Sequence, residues 1–308
     1  MTDKVEVVES VKSRGGPVVS PRQRAYNGLR YLVMTLLALF FIFPIVLMIT
    51  ASLKPEQQLL RDMSSIRAFL PVGDISLDNY RGVFERVNAW RFIFNSVFVT
   101  SMIVAFGLFV NSLAAFALSR LKWKGAPFVL AMLIATLIIP ADAVVIPLLL
   151  LVSKLPRIDW SSFEIVTSWQ STYIVQIVPF IASAIFIFLL YSYFQTIPRE
   201  LDEAARIDGA SWWQIYRKII LPLSTPILGT VAILTFLGAW NMYLWPVLTV
   251  PDGNLRPVMT AVAAFQQLDP ARGEMLAYLT MITLPVLAFF LSLQRVFIES
   301  IASQGLKG

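Results

Sequence analysis

The residues whose types and spacing could act on something lie at 195–222, which read QTIPRELDEAARIDGASWWQIYRKIILP. Pro198 ahead of Glu200, Asp202 and Glu203 starts a helix whose first-turn acids sit at the positive end of the helix dipole. Gly209 interrupts that helix. Ser211 then caps a second helical stretch, with Trp212, Ile215, Tyr216, Ile219 and Ile220 on one face and Leu221-Pro222 as its stop. The chemistry on offer is recognition. Ala204, Ala205, Gly209 and Ala210 are small enough to let another protein's backbone approach, and the plain alternative is a compact connector resting against lipid headgroups.

Covalent chemistry finds little support. The chain has no Cys, which excludes disulfides, thiolate metal sites, iron–sulfur clusters and thiol nucleophiles. It has no His either, so the usual general base near neutral pH and the commonest metal ligand are missing. Asp142, between Pro140 and Pro147, reads as a solvated interfacial acid at a helix break rather than a substrate ligand. One isolated acid is a poor relay for an ion-coupled carrier, and it gives an intramembrane enzyme no nucleophile and base pair. Trp240, Asn241 and Tyr243 offer aromatic faces and a planar amide of the kind that holds sugars, and Asn95, Asn111 and Gln176 are further amides. Each of these serves equally well as an interhelical hydrogen bond.

The elements that must position these residues are membrane spans. Of 308 residues, 57% are hydrophobic and 14% charged, against about 25% charged in soluble domains. Six long apolar runs appear, at 31–51, 92–118, 127–151, 173–194, 223–249 and 275–294, with Asp142 their one acid or base. Each approaches or exceeds the roughly 20 residues needed to cross a bilayer. The expectation is an all-α polytopic protein of six transmembrane helices with both termini cytoplasmic. On that topology the inner segments hold 15 Lys and Arg against 8 acids, and the outer segments 10 against 10. The net +6 is thus a +7 inner face, a neutral outer face and one acid within a span, which gives no reason to invoke nucleic acid. Residues 1–28, with charges of both signs, Gly15-Gly16, Pro17 and Pro21, read as a disordered cytoplasmic tail. In the long outer loop, Leu77, Tyr80, Phe84, Val87 and Trp90 make one apolar helical face, a support packed on the spans, and 152–172 is expected to form a similar cap.

Glu203-Ala204-Ala205, three residues, Gly209, nine residues, Ile219, one residue, Leu221-Pro222: this spacing resembles the signature loop of the membrane subunits of ATP-binding-cassette (ABC) importers. Arg206-Ile207-Asp208 within it, Ser52-Leu53-Lys54-Pro55, Asp78-Asn79-Tyr80, Trp240-Asn241 and the terminal Gly305-Leu306-Lys307-Gly308 are similar to the branch that imports carbohydrates and polyols through a maltose-type permease pair. The resemblance implies one permease domain over 29–308, with a cytoplasmic coupling helix in the loop 195–222, between spans four and five. It implies a bacterial or archaeal plasma membrane, a second homologous permease, two ATPase subunits that bind the ATP and Mg, and an extracytoplasmic solute-binding protein. Catalytic residues, cofactor and metal are expected to be absent from this chain, which has no G-x-x-x-x-G-K-[ST] phosphate loop. By the same resemblance Glu203 makes a charged contact with the ATPase, Ala204 and Ala205 permit close packing, Gly209 forms the turn, and Arg206 and Asp208 complete the coupling set. The C-terminal 304–308 are expected to lie against the ATPase. A secondary, ion-coupled transporter and an importer of a non-sugar solute such as a polyol phosphate are the alternatives.

Overall fold

The computed structural model describes residues 21–159, 164–265 and 271–305. The chain begins with α1 (Pro21–Ser52), α2 (Glu56–Asp62), α3 (Asp78–Arg86) and α4 (Ala89–Arg120). Next come α5 (Ala126–Thr136), α6 (Ala141–Val152), the hairpin of β1 (Pro156–Asp159) and β2 (Glu164–Thr167), α7 (Tyr173–Ile177) and α8 (Ala184–Gln195). Four short or medium helices follow, α9 (Glu200–Ile207), α10 (Trp212–Ile215), α11 (Leu221–Leu223) and α12 (Thr225–Trp240). The chain closes with α13 (Leu244–Thr249), α14 (Val258–Ala261) and α15 (Arg272–Gly305).

Three of these helices are long and apolar enough to cross a membrane, within α1, α4 and α15, and three bent pairs bring the total to six if each pair is one span. α4 is the hub, packed against α8 and α12, while α15 packs against α12, α1 and α3. The expected run 127–151 is not one rod. α5 and α6 meet at 105°, because Pro140 has no N–H to continue the helix and takes an extended ψ of 136°. The run 173–194 bends by 40°, and there Asn111 bridges the gap, donating to the Ile181 carbonyl (3.1 Å) and accepting from the Ser183 N–H (2.9 Å). The run 223–249 breaks at 241–243: the Asn241 amide turns back onto the Leu237 carbonyl at 2.8 Å, and Pro246 removes a donor from the next turn.

The expected tail boundary at residue 28 is modified. Pro21–Gly28, placed in the tail, are helical and extend α1, while residues 1–20 lie outside the described residues. Within 152–172, Pro156–Asp159 and Glu164–Thr167 pair antiparallel, Pro156 opposite Thr167 and Asp159 opposite Glu164, while 160–163, Trp160 among them, lie outside the described residues. Alternation at Arg157, Ile158 and Asp159 suits a strand better than a helix.

The loop between α1 and α4 is built on a buried polar knot. Lys54, 1% exposed, pairs with Asp62 at 3.1 Å and donates to the Arg67 carbonyl. Burial pushes the Asp62 carboxyl up, but hydrogen bonds from Lys54 and Gln58 and the charges of Lys54 and Arg61 together hold it below its ordinary value. Asn79 donates to the carbonyls of Ser52 and Lys54, both at 2.8 Å, and the Tyr80 and Ser52 hydroxyls share a 2.9 Å hydrogen bond. The two short sequence patterns at 52–55 and 78–80 are therefore halves of one joint. α3 is also clamped to α15 by Arg86 and Glu274 at 2.6 Å. Gly273 lets the helices close, since a Cβ there would lie 2.6 Å from the Asn79 amide.

Candidate functional site: the exposed helix α9 and its cleft

α9 follows α8 and is tied to the C-terminal ends of α4 and α8 through Arg120. Its N-terminus carries Glu200, Asp202 and Glu203, and Gly209 follows its end at φ +83°. This left-handed conformation is the one glycine adopts without strain, and it lets the Ala210 N–H reach back to the Ala205 carbonyl at 2.9 Å. Ser211 then starts α10 with a reciprocal capping box: its N–H donates to the Gln214 side-chain oxygen (2.7 Å) and its hydroxyl accepts from the Gln214 N–H (3.3 Å). A π-turn over Tyr216–Ile220 precedes α11. Pro222 can donate nothing to the carbonyl four residues back, and the wider turn accommodates that loss.

Of the apolar face expected at Trp212, Ile215, Tyr216, Ile219 and Ile220, the residues Ile215, Tyr216 and Ile220 are buried with Ala115, Phe116, Leu190 and Phe194, Ile219 is half-buried beside them, and Trp212 is exposed. Tyr216 is fixed by a 2.7 Å hydrogen bond to Ser112 of α4 and by its ring contact with Phe116. These residues are structural. What stays outside is Glu203, Ala204, Arg206, Ile207, Asp208 and Gly209, all exposed, with Ala205 half-buried. Ile207 is 86% exposed, an unusual position for a large apolar side chain beside three charged neighbours. Arg206 lies over the Trp212 ring at 5.1 Å and donates to the Ala210 carbonyl at 3.2 Å.

One connection was not foreseen from sequence. Asp202 turns inward and forms an ion pair with Arg120, the last residue of α4, at 3.2 Å with both side chains buried. Arg120 also donates to the carbonyls of Phe194 (2.8 Å) and Ile197 (2.9 Å), and Arg199 reaches the Ser119 carbonyl at 3.4 Å. Burial raises the Asp202 carboxyl pKa, against the opposing pull of Arg120 and Arg199 and with a small push from Glu203. The sequence pattern assigned Asp202 only to the helix dipole and Arg120 only to the inner charge excess. No spacing rule links residues so far apart. Beside the pair opens a cleft of about 500 Å³, bordered by Arg120, Lys122, Arg199, Glu203, Ile207 and Trp212 among others.

The proposed solute-path residues do not gather in one place. Asn95 is fully buried and spent: it donates to the Asn254 and Arg256 carbonyls and accepts from Tyr173. Asn111 bridges the break before α8, and Gln176 donates to the Leu255 carbonyl. Trp240 is buried and stacked on Phe236 at 5.4 Å. Asn241 and Tyr243 are exposed, and Tyr243 faces a separate cavity with Asp142. The C-terminal 306–308 lie outside the described residues.

Comparison with known proteins is consistent along most of the chain. Residues 103–302 match the family model described as binding-protein-dependent transport system inner membrane component. The arabinooligosaccharides transport system permease protein of Halalkalibacterium halodurans is 30% identical over 276 residues, 88% of this chain and 93% of that one. The sn-glycerol-3-phosphate transport system permease protein of Salmonella choleraesuis is 32% identical over 219 residues, 69% of this chain and 72% of that one. Among solved structures, a bacterial ABC transporter involved in the import of the acidic polysaccharide alginate superposes with a TM-score of 0.71 at 22% identity, covering 92% of this chain and all of that one.

Proposed function

The chain belongs to the binding-protein-dependent transport inner-membrane family, as a multi-pass permease subunit of an ABC importer, and from that premise we propose that it carries a sugar or sugar-like solute and is driven through α9. The relative named for arabinooligosaccharides supports that solute class. As a transport subunit it performs no catalysis of its own.

In this reading the three long helices and three bent pairs make six crossings, both termini are cytoplasmic, and α9 is the cytoplasmic coupling helix. The +7 inner face supports the orientation. The protein sits in a bacterial or archaeal plasma membrane. A second, homologous permease completes the path, two ATPase subunits bind the ATP and Mg, and an extracytoplasmic binding protein delivers the solute. Glu203, Arg206 and Asp208 make the charged contacts, Ala204 and Ala205 permit close approach, and Gly209 sets the turn.

The single observation that carries the coupling role is the pairing of an exposed α9 with a buried root. The outer face of α9 is free for a partner, while Asp202 is tied to Arg120 at the end of α4. A push on α9 therefore reaches a long helix directly, as a rigid-body switch needs. Substitution Glu203→Lys in the assembled complex tests this. The expected result is normal membrane insertion with either release of the ATPase or hydrolysis without import. Normal assembly together with normal import would overturn the assignment.

A further inference from the structure

The cleft between α9 and the end of α4 carries an excess of positive charge. Arg120, Lys122, Arg199 and Arg206 border it against Asp202 and Glu203, a net of +2. Arg120 is spent on Asp202 and on the Phe194 and Ile197 carbonyls, and Arg206 lies over Trp212. Lys122 and Arg199 are exposed and form no ion pair among the described residues, and Arg199 is held by a long hydrogen bond of 3.4 Å to the Ser119 carbonyl. The rest of the wall is apolar: Leu121 is half-buried, and Trp212 and Ile207 are exposed. The cleft also lies at a definite depth. Arg120 is the last residue of α4, Arg199 stands just past the end of α8, and the Trp212 ring meets Phe116, one turn inside α4, at 6.4 Å. Trp123, next to Lys122, and Trp213, next to Trp212, are exposed as well, as aromatic side chains at a membrane–water boundary are.

Resting on the reading that puts α9 on the cytoplasmic side, we propose that this cleft binds the headgroup of an anionic phospholipid of the inner leaflet. Lys122 and Arg199 hold its phosphate, and Leu121, Ile207 and Trp212 cover its glycerol and upper acyl carbons. Basic pockets between spans on the cytoplasmic side take such headgroups, each Lys or Arg contributing about fivefold to the affinity. The charges alone would accept any phosphate; the apolar wall favours a lipid over a soluble anion. Lys122 and Arg199 lie outside the set assigned to the ATPase contact. Because Arg199 caps the start of α9, a bound headgroup ties the root of that helix, at the Asp202–Arg120 pair, to the bilayer surface.

The complete complex with its ATPase, in phosphatidylcholine discs titrated with phosphatidylglycerol, is read by native mass spectrometry for the phosphatidylglycerol it retains. Lys122→Gln is expected to weaken retention about fivefold, and Lys122→Gln with Arg199→Gln about 25-fold. Lys124→Gln removes the same charge from the same loop without bordering the cleft, and is expected to leave retention unchanged. Equal losses in Lys122→Gln and Lys124→Gln, or none in either, would overturn the site. If the double variant fails to assemble, Lys122→Glu carries the test, with retention expected below that of Lys122→Gln. Inorganic phosphate offered to the complex in pure phosphatidylcholine discs is expected to bind weakly; Lys122-dependent binding as tight as the lipid's would overturn the lipid as occupant. Failure of the site alongside intact ATP-driven import in vesicles sinks the headgroup alone. Import by the unmodified complex without ATP would instead sink the permease reading.

Discussion

Asp202→Ala isolates the joint between α9 and the bundle. The change leaves the Arg120 guanidinium, whose side chain is 1% exposed, without its counterion. Stranding a buried charge costs about 3–5 kcal/mol. Arg120 keeps its donations to the Phe194 and Ile197 carbonyls at 2.8 and 2.9 Å, which places the expected loss at the lower end, about 3 kcal/mol. Replacing both partners with apolar residues, Arg120→Met with Asp202→Leu, removes the stranded charge as well. The double variant is expected within about 2 kcal/mol of the parent, because apolar substitutes for a buried pair are commonly neutral. Unfolding free energies of the parent, Arg120→Met, Asp202→Leu and the double variant, measured in one detergent, complete the cycle, with Asp202→Ala measured beside them. A coupling of about 2 kcal/mol or more is expected between the two positions. Additive single losses, or a loss below about 1 kcal/mol for Asp202→Ala, would refute the claim that this pair roots α9.

Gly209→Val is expected to cost about 1–2 kcal/mol from its φ of +83°, with no clash at the Cβ itself, since nothing lies within 4 Å of it. Import should fall while membrane insertion persists, and Gly209→Asn should recover part of the loss; equal import by the valine variant would contradict the turn assignment. Asn79→Ala withdraws two 2.8 Å donations to the Ser52 and Lys54 carbonyls, an expected loss of about 1–3 kcal/mol. Faster proteolysis within residues 53–78 reports it, and an unchanged cleavage rate would count against the knot.

Much of the architecture could be read from the chain because lipid imposes a simple rule of length and hydropathy. The same rule hid the bends. At 127–151 hydropathy is continuous across Pro140, and only the missing N–H shows that the helix must turn. In the loop 195–222 the prolines, the glycine and the Ser211 cap act locally, so Glu200–Ile207 and the start of the second stretch at Trp212 were legible, while its switch to a π-turn over Tyr216–Ile220 was not. The Asp202–Arg120 pair and the meeting of Ser52-Leu53-Lys54 with Asn79-Tyr80 depend on tertiary packing, which periodicity does not carry. Asn95 and Asn111 follow the same logic. A polar residue within a span had two readings, and only the position of nearby backbone carbonyls decides that these two hold broken segments together.

The central claim is that energy enters this permease through α9 from an ATPase outside the membrane. Solute uptake by vesicles containing the complete complex, with ATP inside or withheld and with imposed proton or sodium gradients, tests it most directly. The account predicts uptake that requires ATP and is lost in Glu203→Lys even where the ATPase remains bound. Uptake that persists without ATP and follows an ion gradient would contradict it.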